Sequence, residues 1–334
     1  MGIPGVEEYD HSELTSSRLE EAFEHGWFKI FTPRALGGRE LTLLEGISEL
    51  REAARRFGSL GWCANLGSGA AYFAPSFSLD VGREIYGQSR SVVAGSGQTS
   101  SASGRRLTST RYIIDGKWAF CTGASHATFF TVSVDIPGEG IRSFAVPASK
   151  IEIFERDELF GLRGTSSHTI SLAPYEVEER YAFDIGKVVT DYCYPLHSIP
   201  FIPFAQFCMA ASMIGIFQCF CDVALHELGL ERCAPSLARC ESVVEGSSSR
   251  LGRLAEVFWE GASKYELPNE SLRGELCQTV NEIRGAIMQQ ALALFHSGGM
   301  RMIDVRNPAH WAFRDLLTAG QHFLLDGREK PQAS

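Results

Sequence analysis

Along the first 88 residues apolar positions recur at three- and four-residue spacings, which predicts short amphipathic helices. Ser17-Arg18-Leu19-Glu20 fits a capping box opening a helix that Gly26 closes. Thr42-Leu43-Leu44-Glu45 fits another, opening a helix that ends at Gly58. In that second helix Leu44, Ile47, Leu50, Ala54 and Phe57 form one apolar stripe. Pro33 and Gly37-Gly38 set a turn between the two, and a further helical stretch ends near Gly87. From about Ser89 the pattern becomes strand-like. The runs SVVAGS, LTSTRYII, KWAF, TFFTVSV, RSFAVP, IEIFE and TISLAPYEV are short, β-branched and aromatic, with turn signals at Asp115-Gly116 and Pro137-Gly138. After Pro200 the helical period returns. It predicts helices over Phe204 to Leu230, Ser247 to Lys264, Glu270 to His296 and Pro308 to Asp326, the last with Asn307 as N-cap and Gly327 beyond its end. The expected organisation is an α+β chain with a helical domain over 1–88, a β domain over 89–185 and a helical bundle over 186–334.

Composition narrows the function classes. The chain has 334 residues, 44% hydrophobic and 21% charged, in the range of ordinary globular proteins rather than disordered or fibrous ones. Its charge is −9, with no block of Lys and Arg, so it would repel a phosphate backbone and no nucleic-acid partner is expected. The first twenty residues carry no basic segment followed by an apolar run, which makes the cytoplasm the expected compartment. The most apolar stretch, Phe204 to Leu225, is interrupted by Gln206, Ser212, Gln218 and Asp222, and it reads as a core helix, not a membrane span. Nine cysteines, an odd number with no C-x-x-C pair, read as reduced and mostly buried thiols. Cys219-Phe-Cys221 and His226-Glu227 place their side chains on opposite faces of a helix, so no metal site is expected.

Several motifs carry chemistry. Pro33 with Gly37-Gly38, Trp118-Ala-Phe120-Cys-Thr122-Gly123-Ala-Ser-His126, Gly161-Leu-Arg163-Gly164-Thr165-Ser-Ser167, and Gly298-Gly299 followed by Asn307-Pro308 and Phe313-Arg314-Asp315 occur in that order. Together they resemble the acyl-CoA dehydrogenase superfamily, whose fold runs from an N-terminal helical domain through a central β domain to a C-terminal four-helix bundle. The resemblance implies a flavin held between the β domain and the C-terminal helices, usually in a homotetramer, a homodimer being the smaller alternative. It implies cofactor contacts from Trp118, Phe120, Thr122 and Gly123, and from Ser96 and Gly97 in the SVVAGSGQTSS segment. That segment's Gly95-Ser-Gly97-Gln-Thr-Ser100 is no Rossmann fingerprint, since it lacks the third glycine and sits among strands.

Two branches of the superfamily differ in chemistry. Dehydrogenase members need a carboxylate base to take an α-proton from an acyl thioester. Where their glutamate often lies, beyond Arg314-Asp315, this chain has His322-Phe323, although Glu227, Glu256 and Glu260 on earlier helices remain alternatives. The other branch, similar to the oxygenase components of two-component flavin monooxygenases of the hydroxyphenylacetate hydroxylase type, takes reduced FMN or FAD from a separate reductase and hydroxylates a small organic substrate with oxygen. Its endings resemble Phe313-Arg314-Asp315 followed by His322, and its flavin element resembles Trp118 to His126. His322 and His126 are therefore the candidate catalytic residues, a histidine near neutrality being able to ionise a phenol. On a continuous helix Asp315, Thr318 and His322 would share one face. His168 is expected at the surface. One departure stands out: Gly58-Ser59-Leu60-Gly61-Trp62 leads into CANLGSGAAYFAP, where the oxygenases often carry a histidine. With the dehydrogenase glutamate also missing, a non-catalytic protein that keeps the fold is the third alternative.

Overall fold

The computed structural model describes residues 3–156 and 158–326, with the backbone alone at 230–233. Five helices come first: α1 (Val6–Tyr9), α2 (Ser16–Glu24), α3 (Leu43–Arg56), α4 (Gly58–Gly69) and α5 (Leu79–Tyr86). The predicted capping box at Thr42 forms, with Thr42 Oγ1 accepting from the Glu45 amide and the Glu45 carboxylate accepting from the Thr42 amide. The earlier cap is Thr15, not Ser17, because the helix begins two residues sooner and Thr15 Oγ1 accepts from the Arg18 amide at 3.3 Å. Helix α3 ends at Arg56, where Phe57 turns to an extended conformation (φ −161°), and Gly58 opens α4 directly.

Eight strands follow: β1 (Val93–Ser96), β2 (Ala102–Thr108), β3 (Arg111–Cys121), β4 (Phe129–Ile136), β5 (Gly140–Pro147), β6 (Glu152–Phe154), β7 (His168–Glu178) and β8 (Ala182–Phe183). One sheet runs β1-β4-β5-β8, with β1 parallel to β4, and the other runs β2-β3-β7-β6, all antiparallel. Their inner faces share one apolar core of Tyr112, Ile114, Trp118, Phe130, Val132, Phe144 and Ile170, so the sheets pack as a sandwich. The predicted turn at Asp115-Gly116 is instead an irregularity inside β3. The chain needs a glycine there because a Cβ would fall 2.7 Å from the Cα of Ala102 on the neighbouring strand. Pro137-Gly138 does turn, closed by the Glu139 amide on the Ile136 carbonyl at 2.9 Å.

Four helices close the chain: α6 (Phe201–Leu228), α7 (Leu230–Ser263), α8 (Glu270–Gly298) and α9 (Pro308–Ala319). By length and composition α6 could cross a membrane, yet it is the core helix, with Phe204, Phe207, Ile214, Phe217 and Phe220 all buried. It crosses α3 so closely that a Cβ on Gly215 would lie 2.3 Å from the Arg51 carbonyl oxygen. Helix α7 starts 17 residues before the predicted Ser247. Its Pro235 is the sixth residue of the helix, where it forgoes one backbone amide donor, and Leu237 and Cys240 just beyond it are buried in the core. Asn307 caps α9 as predicted, accepting from the Ala309 amide at 2.9 Å. The helix stops at Ala319 rather than Asp326, so His322 lies beyond it and caps a short 3₁₀ turn, Phe323–Leu325. The shared face predicted for Asp315, Thr318 and His322 is therefore broken. Gly327 lies outside the described residues.

Candidate active site

Strand β3 ends in a register break between Trp118 and Cys121. Up to that point the strand alternates, so Trp118 points inward, wholly buried, its indole N–H donating to the Ser133 carbonyl at 3.1 Å. Trp118 therefore does not line an opening; it anchors the sandwich beneath one. At the break Phe120 takes a left-handed conformation (φ 58°), which turns its ring outward to 55% exposure. The Arg156 guanidinium lies 4.3 Å from the centre of that ring.

Thr122 and Gly123 follow immediately. Gly123 adopts φ 82°, and the turn it makes is fastened to the Gly161–Ser167 loop: the Gly123 amide donates to the Thr165 carbonyl at 2.9 Å, and the Ala124 amide to the Ser166 carbonyl at 3.2 Å. The side chains repeat the connection. Thr122 Oγ1 is 2.9 Å from Ser167 Oγ, Ser167 Oγ is 2.7 Å from Thr165 Oγ1, and Thr165 Oγ1 donates to the Leu162 carbonyl at 2.7 Å. Leu162 in turn donates its amide to Asp315 Oδ1 at 2.6 Å, tying the loop to α9. Asp315 is buried, and burial outweighs the Leu162 hydrogen bond and the Arg314 charge, pushing its carboxyl up to about 7.

His322 meets the edge of Trp62 on α4, with ring centroids 5.7 Å apart, and stacks on Phe323 at 4.9 Å. The next residue of α4, Cys63, donates its thiol to the Thr165 carbonyl at 3.6 Å. Helix α4 thus connects the His322 region to the loop that holds Thr122. His126 packs against Phe28, with centroids 5.4 Å apart. Its Nε2 is buried with no partner among the described residues, and burial lowers the imidazole to about 4, so it is neutral through the physiological range. Ser96 and Gly97 lie at the end of β1. Ser96 Oγ accepts from the Gln98 amide at 3.3 Å, and a Cβ on Gly97 would meet nothing within 4 Å. His168, expected at the surface, is 2% exposed and accepts the Arg156 amide on Nδ1 at 3.1 Å, which holds Arg156 over Phe120.

The alternative bases stand elsewhere: Glu227 is bonded to His226, Glu260 pairs with Lys264, and Glu256 is exposed. A cavity of about 230 Å³ lined by Ser76, Arg142, Glu179, Arg180, Phe183 and Lys187 contains none of the predicted site residues. An exposed aromatic ring, a left-handed glycine and open space at Gly97 fit a planar ring system laid against this end of the sandwich, with the Thr122 hydroxyl held just beneath by Ser167.

No family model matches the chain. It is 27% identical over 225 residues to the indole-3-acetate monooxygenase of Pseudomonas putida, covering 64% of this chain and 56% of that protein. It is 21% identical over 341 residues to the FADH(2)-dependent resorcinol hydroxylase, oxygenase component, of Rhizobium sp. (strain MTP-10005), covering 90% and 82%. Among solved structures, the 3-HSA hydroxylase from Rhodococcus sp. RHA1 superposes with a TM-score of 0.86 at 18% identity, over 95% of this chain and 87% of that one. The butyryl-CoA dehydrogenase from Megasphaera elsdenii does so at 0.75 and 12%, over 94% and 88%. The chain is an acyl-CoA dehydrogenase-fold relative of the oxygenase components of two-component flavin monooxygenases. It spans a little over half the length of the indole-3-acetate monooxygenase it matches.

In this monooxygenase relative, sequence reasoning missed Ser167, Arg156 and Trp62 as contributors to the site. The G-L-R-G-T-S-S run flagged the loop, but nothing in it says which hydroxyl meets Thr122. Trp62 closes the Gly58–Trp62 run, but nothing in that run points to its partner His322, which lies 260 residues away in sequence.

Proposed function

We propose that the chain is an oxygenase component that binds reduced FMN or FAD at the Phe120–Gly123 edge and uses oxygen to hydroxylate a small organic substrate, with a separate reductase supplying the flavin. The observation that carries this reading is the Phe120–Thr122–Gly123 turn, an outward aromatic ring beside a hydroxyl held by the Ser167 loop, with His322 reached through α4. The names of the relatives support the reaction class, and the name of the resorcinol hydroxylase specifies a reduced flavin.

The bound flavin would supply two-electron reduction of oxygen. The chain's own residues have narrower tasks. Phe120 offers a face for a ring to stack on, worth about 0.5–1.5 kcal/mol beyond its area. Thr122 fixes orientation, and Gly97 and Gly123 let backbone approach closely. His322 caps its turn through Nδ1, so its neutral ring carries the hydrogen on Nε2 and would act by donating it toward a substrate oxygen. A homotetramer or homodimer would complete the open edge, where Phe120 and Phe160 stand 55% and 56% exposed.

The test is anaerobic titration of the purified protein with reduced FMN and reduced FAD, followed by oxygen and a panel of phenols and indoles. Saturable binding and a hydroxylated product are expected. Absence of binding, or bleaching of bound oxidised flavin by an acyl-CoA, would overturn the reading.

A further inference from the structure

The cavity of about 230 Å³ lies apart from the Phe120–Gly123 edge. Strand β7 runs back beside β3, with His168 opposite Cys121 at one end and Glu178 opposite Arg111 at the other. Phe120 to Gly123 stand at the first end. Glu179 and Arg180, which line the cavity, stand at the second, about 30 Å away at ~3.3 Å per residue. The cavity sits where the N-terminal helices meet the sandwich: Ser76 and Ser78 come from the approach to α5, Arg142 from β5, and Arg180 and Lys187 from either side of β8. Its rim is fixed. The Val189 and Thr190 amides donate to the Pro75 carbonyl at 2.7 and 3.0 Å, and Thr190 Oγ1 donates to the Phe77 carbonyl at 2.7 Å.

The polar groups of this cavity are unevenly spent. Both lining carboxylates are occupied: Glu179 accepts from Arg106 Nη1 at 2.9 Å and Arg142 Nη1 at 3.3 Å, and Asp184 faces Arg142 Nε at 3.4 Å and Lys187 Nζ at 3.9 Å. The donors are not. Ser76 is 7% exposed, yet its hydroxyl makes no hydrogen bond among the described residues, and a hydroxyl buried without a partner is costly. Ser78 is the N-cap of α5 but its side chain makes no cap bond, so the first amides of that helix are left to another acceptor. Asp80 in the same turn is exposed and does not line the cavity. Lys187 is 68% exposed and only loosely paired, free to turn inward. Three cations against two carboxylates line the space, in a chain of net charge −9. A surplus of donors beside a helix N-terminus suits an oxyanion. The volume falls below the ~300–1,000 Å³ of pockets for drug-sized ligands, so the ligand is small. We propose that this cavity is a second binding site, for a phosphate ion or the phosphate group of a small phosphomonoester, held by Ser76, Ser78 and Lys187 where the N-terminal helices join the sandwich. It stands independently of the flavin reading.

The experiment is a thermal-melt titration of the full chain with potassium phosphate, with glycerol 3-phosphate, and with potassium chloride at matched ionic strength as the control. Phosphate should raise the melting temperature saturably, and chloride should not. Ser76→Ala removes a hydroxyl that bonds to nothing in the protein, so the melting temperature without phosphate should stay where it is. Its dissociation constant for phosphate should rise about five- to tenfold, the scale of one hydrogen bond. Lys187→Gln, at an exposed position that folding does not depend on, should raise the constant about two- to fivefold, the scale of an exposed ion pair. Tighter binding of glycerol 3-phosphate than of phosphate identifies a phosphomonoester as the ligand, and equal or weaker binding identifies the free ion; either result upholds the site. No saturable shift with either compound, or a dissociation constant that neither variant changes, overturns it.

Discussion

The imidazole of His322 meets the indole of Trp62 edge to face, centroids 5.7 Å apart, joining the segment after the last helix to the helix that contacts the Thr165 loop. Neither residue is near the other in sequence, and α9 has ended before His322 is reached. The contact is made by the chain turning at Gly320 and laying His322 back on α4, not by a helical face.

His322→Ala is expected to lower oxygenation of substrate by about 100-fold or more, the usual scale for general acid–base catalysis. It should cost no more than about 1 kcal/mol of stability, since the side chain is half-buried and its capping role is modest. Stopped-flow turnover and a thermal melt measure the two effects. Turnover within a factor of two of the wild type would remove His322 from the mechanism.

Phe120→Ala removes a ring that is 55% exposed and supports no core. Stability should change by less than about 0.5 kcal/mol, as for ordinary surface substitutions. Affinity for reduced flavin should fall about three- to tenfold, from the stacking increment. Isothermal titration under argon reads this, and a large loss of melting temperature with intact binding would contradict the assignment.

Gly161→Ala drives a methyl group into the backbone of Arg314 and the Thr318 hydroxyl, at 2.3 and 2.7 Å. Separation of the loop from α9 should cost about 1–3 kcal/mol. Urea unfolding should show the midpoint shifted down with its slope unchanged.

Asp315 gives a pH dependence of definite sign. Its folded-state carboxyl is raised by burial to about 7, whereas unfolded aspartate titrates near 4, so the folded protein binds the extra proton between those values. Stability from this group is fully present below about pH 4 and is lost as pH rises through 7. The groups bearing on it are Tyr9, Cys219 and Arg314, with the Leu162 amide donating to it. Asp315→Asn keeps an acceptor for that amide and cannot ionise. The variant should therefore lose less stability than the wild type between pH 5 and pH 8, measured as the difference in urea midpoints. Parallel pH profiles for the two proteins would show that Asp315 does not titrate in this range.

The local code was readable where a signal and its consequence lie within a few residues. The Thr42 capping box, the Asn307 cap, the Pro137-Gly138 turn and the change from helical to strand period and back are all decided by short-range stereochemistry, and the order of the motifs pointed to the fold. What the chain alone left open depended on partners brought from far away. Asp115-Gly116 reads as a turn locally, but pairing with β2 and β7 carries the strand through it. Trp118 and Phe120 are two residues apart and read as equivalent flavin contacts, yet a bulge sends one into the sandwich and the other out to solvent. The start predicted for α7 at Ser247 falls 17 residues late, because burial of Leu237 and Cys240 carries the helix back past Pro235. His322 was placed on a helix that ends before it, and His168 was placed at a surface that the sandwich covers. Burial and hydrogen bonding are properties of the assembled neighbourhood, so the hydroxyl connection from Thr122 through Ser167 and Thr165 to the Leu162 carbonyl exists only once the loop and the strand end have met.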